Sequence, residues 1–422
     1  MRQLARCSVL ALALAGASQV AQAQALEFHG YTRSAIGMSS EGGRGACFGL
    51  AGADTKYRLG NECDTVIEPT FTARFANLED KSAWGVTFMP NVYSGWGGAA
   101  SSGPDLDTGY GQIYLFGENI PQLANGRIWA GRRFYQRLQL GINDQFLENL
   151  DGDGAGLEDM NLGFGKLSVA WQMNPYGATD AFNTQAQRLS ARLTDIKTFP
   201  EGALSFYTHY AFTSNSDDKS GATVVTAPDT ESTWHVGAYH QLNGVLGGSN
   251  TIGLAFEGGD RNASAANPNG DSMSMARFVV QQTGFISGPQ IAWDAIAEFQ
   301  TSKYRNNAAG KSDWFSIGGR LDGHIAGPFR WLTELGYDSV KDENQDTRHL
   351  LKFTGALAVS AGPNAWSRPT FRVYYTYANW NDAAIGKVGG NGQLAYNGVN
   401  GNSVYGNNTN GGTFGIQGEA WW

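Results

Sequence analysis

The sequence predicts an all-β protein, a transmembrane antiparallel β-barrel of eighteen strands, with sixteen as the alternative count. Three observations carry this. Apolar and polar residues alternate with a period of two along many segments. Short turn signals recur at a steady pace. After the N-terminal segment, no run approaches the roughly 20 apolar residues of a membrane-spanning helix. The hydrophobic fraction is only 41% and the mean hydropathy is negative. A barrel permits this, because its lumen hides polar side chains and lipid meets only alternate residues.

The chain opens with the layout of a secretory signal: Arg2 and Arg6, an apolar core from Val9 to Ala15, then small residues. Two A-x-A sites place cleavage after Ala23 or Ala25, so that residues 1–25 form the signal and 26–422 a single barrel domain. Removing Arg2 and Arg6 from 30 basic residues leaves 28 against 38 acidic ones, a net charge near −10. That balance disfavours nucleic acid as a partner. Cys7 leaves with the signal, and an oxidising compartment joins Cys47 to Cys63. With no C-x-x-C motif, this pair reads as a loop staple contributing about 3 kcal/mol.

The turn signals come next: Asn77-Leu78-Glu79-Asp80, Ala124-Asn125-Gly126, Gly163-Phe164-Gly165, Pro200-Glu201-Gly202, Gly247-Gly248, Gly288-Pro289, Gly327-Pro328 and Gly362-Pro363. Neighbours lie about 35 to 47 positions apart, room for two strands of about ten residues and one long loop. Eight short turns separate nine hairpins, hence eighteen strands. The long loops are expected at Gly97 to Gly103, Ser214 to Ser220, Asn262 to Asp271, Asn306 to Asp313 and the Gly/Asn-rich stretch Gly386 to Gly412. Lipid offers no hydrogen-bond partners, so the first and last strands must pair to close the sheet.

Alternation then places individual side chains. In the first strand, Leu26 to Met38, Phe28, Ile36 and Met38 take one face and Glu27, His29, Tyr31 and Arg33 the other. Between Arg372 and Trp380, Val373, Tyr375 and Tyr377 form the apolar face, leaving Trp380 among polar and small neighbours. At the C-terminus Trp422 joins Phe414 and Ile416, while Trp421 joins Gln417 and Glu419. Tyr31, Trp380 and Trp421 are therefore large rings on the polar side, suited to stacking on a soluble ligand. Most other tryptophans and tyrosines are expected in interfacial belts or loops.

Several long segments in order resemble the maltoporin family of sugar-specific outer-membrane porins: FHGYTRSAIG from Phe28, KYRLGNEC ending at Cys63, IWAGRRFYQR from Ile128, GAGLED from Gly154, GFGKLS from Gly163, WSRPTFRVYYTYANW from Trp366 and the terminal EAWW. The resemblance implies an eighteen-stranded barrel in the outer-membrane lipid, a homotrimer, and a third loop folded inward as a constriction. It implies an aromatic track for oligosaccharides at Tyr31, Trp380 and Trp421, with Trp96 reaching into a neighbouring subunit. It places Arg33, Arg58 and Glu68 in a flanking polar track, and Arg137, Asp144 and Phe146 at the constriction. A pyranose offers an apolar C–H face to rings and a rim of hydroxyls to charged donors and acceptors.

The sequence also departs from that pattern. Val66 stands where the family carries a tyrosine, and Ser249 near where it carries a phenylalanine. Phe146 replaces a tyrosine, Gln139 an acid, and Asp144 to Asn149 is less aromatic. These gaps move the expected substrate from maltodextrin toward a disaccharide or a β-linked oligosaccharide. The alternative is a general-diffusion porin on the same scaffold. A barrel enzyme is not expected, since His29, His209, His235, His240, His324 and His349 carry no associated catalytic signature and no G-x-S-x-G occurs. No metal or other cofactor is expected.

Overall fold

The computed structural model describes residues 25–43, 45–95, 107–174, 185–214, 232–259, 273–304, 310–389 and 404–422. The expected signal segment up to residue 24, Trp96, and the loop stretches expected at Gly97 to Gly103, at Asn262 to Asp271, and over much of 214–220, 306–313 and 386–412 lie outside these residues.

The wall begins with β1 (Ala25–Ser39), β2 (Asp64–Asn77), β3 (Ala83–Gly95), β4 (Asp107–Ile120) and β5 (Gly126–Arg133). A small hairpin follows, β6 (Leu138–Leu140) and β7 (Gln145–Glu148). The wall resumes with β8 (Gly152–Asn161), β9 (Lys166–Asn174), β10 (Gln185–Lys197), β11 (Gly202–Ser214), β12 (Ser232–Val245) and β13 (Gly248–Gly259). It continues through β14 (Met273–Ile286), β15 (Ile291–Tyr304), β16 (Lys311–Ala326), β17 (Phe329–Asp342), β18 (Arg348–Ser360), β19 (Thr370–Trp380) and β20 (Asn410–Trp421).

Apart from the β6–β7 hairpin, each strand pairs antiparallel with its chain neighbour, and β20 pairs with β1 from Tyr31 opposite Trp421 to Ser39 opposite Thr413. The sheet is thus a closed barrel of 18 strands. Closure satisfies the backbone of both terminal strands, as a lipid environment requires. All eight predicted turn signals fall at the short connections. Short connections mark the periplasmic end of such barrels and long ones the extracellular end.

The pleat divides the two faces as alternation requires. On β19, Phe371, Val373, Tyr375 and Tyr377 are exposed on the outside, whereas Thr370, Tyr374, Thr376, Ala378 and Trp380 are buried on the inside. The outer set is the lipid-facing band.

Two segments fold into the lumen, where the sequence led to the expectation of one. The first, residues 40–63, leaves β1 and runs inside the barrel to the inner faces of β16, β17 and β18. Tyr57 lies flat on Gly318 and Gly336, which are register partners on β16 and β17; a Cβ at either would come within 2.3 Å and 2.0 Å of its ring. Its hydroxyl shares a hydrogen bond with Ser316 Oγ at 3.0 Å. Leu59 N donates to Glu334 Oε1 at 2.9 Å, and Lys352 Nζ donates to both Leu59 O and Glu334 Oε1 at 2.9 Å. A buried charge pair is tolerable when its remaining valences are filled in this way. Cys47 and Cys63 form a disulfide that ties the two ends of this loop together.

The second inward segment spans 134–151 and carries the β6–β7 hairpin. Leu140, Ile142 and Leu147 pack against Tyr207, Tyr239, Val279 and Ile296 on the far wall. Glu148 accepts a hydrogen bond from Tyr239 Oη at 2.7 Å and lies 2.8 Å from His235 Nε2. Asn143 Nδ2 donates to Glu298 Oε1 at 2.5 Å. The two segments meet where Arg58 N and Arg320 Nη2 both donate to Ile142 O, at 3.2 Å and 3.1 Å.

Candidate functional site

The inner wall around the seam presents two rows of side chains. Residues directly opposite across an antiparallel pair share a face. In one row, Trp421 on β20, Tyr31 on β1 and Glu68 on β2 are successive register partners. In the next, Glu419, Arg33, Val66 and Tyr93 follow one another from β20 through β1 and β2 to β3. Strand alternation therefore delivers Tyr31, Trp421, Arg33 and Glu68 to one patch of lumen.

Arg33 is held as a rigid fork. Its Nε and Nη2 donate to the two oxygens of Asp64, both at 2.6 Å, and Nη1 donates to Glu62 Oε1 at 3.0 Å. Arg58 Nε donates to the same Glu62 oxygen at 2.6 Å and its Nη1 lies 3.6 Å from Asp144. Burial pushes the Glu62 carboxyl up, but Arg58, Arg33 and Lys56 outweigh it and hold it well below the usual carboxylate range. Burial lowers the neighbouring Lys56 ammonium to about 8, against the opposing pull of Glu62 and Asp64. Charges of both signs thus hold one another in a fixed arrangement beside the seam.

At the neck, Arg137 Nε donates to both carboxylate oxygens of Asp151 at 2.9 Å, and its guanidinium covers the Phe134 ring at 3.3 Å. Phe146 lies 5.3 Å from the same guanidinium. Asp144 accepts from Gln139, the residue standing where an acid was expected. Arg137, Phe146 and Asp144 thus come together on the second inward segment, braced by the end of the first.

Tyr31 is partly open, its hydroxyl donating to Glu419 Oε1 at 3.1 Å. Trp421 is 37% exposed, with the Arg368 guanidinium 3.6 Å over its ring. Trp380 differs. It points inward as alternation predicted, but it is only 4% exposed and has no free face. Phe48 from the first inward loop and Tyr405 lie 6.3 Å and 5.9 Å from it, within a cluster that also holds Leu50, Trp314, Val340 and Leu350. The open stacking face expected there is covered because loop residues 46–53 fill the lumen beside it. Trp96 lies outside the described residues. Ser249, on β13, shares a hydrogen bond with Thr283 Oγ1 at 3.1 Å.

The seam holds a ring that the sequence reading passed over. Tyr93 stands next to Val66, so an aromatic occupies the strand beside the lost one. Alternation along β3 contained that signal. The inward course of residues 46–63 carried none, because its apolar residues lack a period and meet the wall only across the lumen.

An apolar outer band around a closed barrel, enclosing a charged lumen narrowed by its own loops, defines a class, the outer-membrane porins. The chain belongs to the LamB porin family, whose model, described as LamB porin, matches residues 26–422. Among solved structures, Acinetobacter baumannii OccAB1 is similar at 11% identity and a TM-score of 0.50, covering 96% of this chain and 99% of that one. Pseudomonas aeruginosa OccD3 (OpdP) is similar at 10% identity and a TM-score of 0.48, covering 94% and 91%. These two likenesses concern the fold alone.

Proposed function

We propose that this porin is sugar-selective, passing di- or oligosaccharides by facilitated diffusion along the seam side of its lumen. The observation that carries this is the juxtaposition of Tyr31 and Trp421 on one inner face, flanked by Arg33, Glu68 and Glu419. The rings supply apolar platforms and the charges supply hydrogen bonds. Arg58, Arg137, Asp144 and Phe146 set the passage above them. Translocation demands several weak sites in series, and a dissociation constant near 1 mM requires only about 4 kcal/mol. Assembly as a homotrimer belongs to the same proposal, with Trp96 completing a neighbour's track.

Planar-bilayer conductance tests it. Added oligosaccharide should interrupt the ion current in a saturable way, with β-linked and α-linked glucose oligomers compared. Current indifferent to every sugar tested would refute selectivity. The second reading, general diffusion, is favoured by the covered Trp380 and the aliphatic Val66, which break the track. It predicts flux that depends on solute size alone, without saturation.

A further inference from the structure

We propose that the inner wall at Arg188 carries a subsite for an anionic group, a carboxylate or a phosphate borne by a sugar. The glycosyl part of that ligand rests on the sugar-selective reading of the pore; the anion subsite does not.

Arg188 and Ser190 lie on β10, His209 and Ala211 on β11, and Thr233 and His235 on β12. In one row Arg188 stands opposite Ala211 and Ala211 opposite Thr233; in another, Ser190 stands opposite His209 and His209 opposite His235. The row between them, Leu189, Tyr210 and Trp234, is exposed on the outer face. Alternation therefore turns all six residues of the two rows inward. β11 and β12 are the ninth and tenth of the 18 wall strands in chain order, so this patch lies across the barrel from the seam. The chain passes down β10 toward the short connection after Lys197. Arg188 accordingly lies on the extracellular side of His235, where Glu148 of the second inward segment docks.

Arg188 is only 8% exposed, yet among the described residues it makes no ion pair and no hydrogen bond. The similarly buried Arg133, Arg330 and Arg348 each hold a carboxylate. Ser190 Oγ, His209 Nδ1 and Thr233 Oγ1 are also buried without a hydrogen-bond partner. His209 stacks on His235 with ring centroids 4.8 Å apart and lies in electrostatic range of Arg188. The small Ala211 leaves the guanidinium room to reach across β11 toward these groups. Buried donors left unmatched cost free energy. The guanidinium and both hydroxyls are donors, and His209 Nδ1 donates in the tautomer that carries its proton there.

The carboxylates around the patch are engaged or distant. Glu148 is held by His235 and Tyr239. Asp151, in electrostatic range of Arg188, is gripped by Arg137 and accepts from Tyr135 N. Glu257 stands on β13, with β11 and β12 between it and Arg188. A set of donors with no acid among them matches the several oxygens of one anion. Gln172, opposite Arg188 on β9, gives its Nε2 to Leu150 O and keeps Oε1 unpartnered. That oxygen is an acceptor for a hydroxyl beside the anion, which makes an acidic sugar the ligand class.

The test is current block of the full-length pore by trigalacturonate and, as the neutral control, maltotriose. Arg188→Gln should raise the dissociation constant for trigalacturonate about tenfold and leave that for maltotriose unchanged. Ser190→Ala, a milder change to the wall, should raise the trigalacturonate constant about threefold. Glucose 6-phosphate and glucuronate are then added as competitors. Relief of trigalacturonate block by both assigns the subsite to either anion, and relief by glucuronate alone assigns it to carboxylates. Wild-type constants for trigalacturonate in both variants, or equal losses for the two trisaccharides, would overturn the proposal. A wild-type pore blocked by maltotriose and not by trigalacturonate would overturn the subsite alone. Block by trigalacturonate without block by any neutral sugar would retain the subsite and sink selectivity for neutral sugars.

Discussion

Tyr31 and Trp421 stand directly opposite one another across the seam that closes the barrel, their side chains on the same inner face. The pairing that completes the wall therefore also assembles the aromatic pair. Tyr31→Ala and Trp421→Ala should each raise the dissociation constant for a blocking sugar about three- to tenfold. Because the two rings adjoin, the double variant should lose less than the product of the single losses. Titration of current block measures all three; unchanged constants in both single variants would contradict the proposed track.

Trp380 should behave differently. Its ring fills a packed cluster with Phe48 and Tyr405, so Trp380→Ala opens a cavity of the kind that costs roughly 3–5 kcal/mol. The expected result is looser packing of the first inward loop, seen as faster proteolysis of residues 46–63, with less effect on sugar affinity than Trp421→Ala. A larger loss of affinity than Trp421→Ala, with the loop still protected, would show that Trp380 contacts sugar.

The Cys47–Cys63 disulfide holds that same loop over Trp380. Replacing both cysteines by serine removes about 3 kcal/mol of loop constraint without touching any wall pairing. Acrylamide quenching of tryptophan fluorescence should rise, and the rise should vanish in a Trp380→Phe background. Identical quenching with and without the disulfide would mean that wall contacts alone hold the loop.

Tyr57 rests on bare backbone at Gly318 and Gly336. A Cβ at 336 would stand 2.0 Å from its ring, so Gly336→Ala should lift the loop and alter single-channel conductance. Tyr57→Ala should relieve the clash, bringing the double variant to the conductance of Tyr57→Ala alone. An unaltered Gly336→Ala conductance would place the ring elsewhere.

Lys56 supplies a pH dependence. Its ammonium titrates near pH 8 in the folded pore, against 10.5 ordinarily. Between these values the unfolded chain binds more protons, so folded stability rises with pH across the window, and below pH 8 the full cost of charging remains. Loss of that charge beside Glu62, which stays ionised, should shift ion selectivity toward cations as pH passes through about 8. Reversal potentials in a salt gradient read this, and Lys56→Met should abolish the step.

Much of the wall was legible in one dimension. The pleat has a period of two, so alternation alone assigned Phe28, Ile36, Val373, Tyr375 and Tyr377 to the outside and Tyr31, Trp380 and Trp421 to the inside. Turn residues marked all eight short connections, and the absence of hydrogen-bond partners in lipid required the first strand to meet the last. What alternation assigns is a face, and a face is not exposure. Whether an inward ring is open depends on chain that returns from far away in sequence. Tyr31 stays partly open and Trp421 keeps exposed surface beside the Arg368 guanidinium, whereas Trp380 is covered by Phe48, more than three hundred residues earlier in the chain. The first inward loop owes its course to Tyr57 on two glycines and Leu59 on Glu334, contacts between segments with no shared local pattern. The sequence by itself thus determined the barrel, its closure and the side of the wall on which each ring stands. Only the tertiary structure decided which rings meet the lumen, because burial is a property of what packs against a surface and not of the strand that carries it.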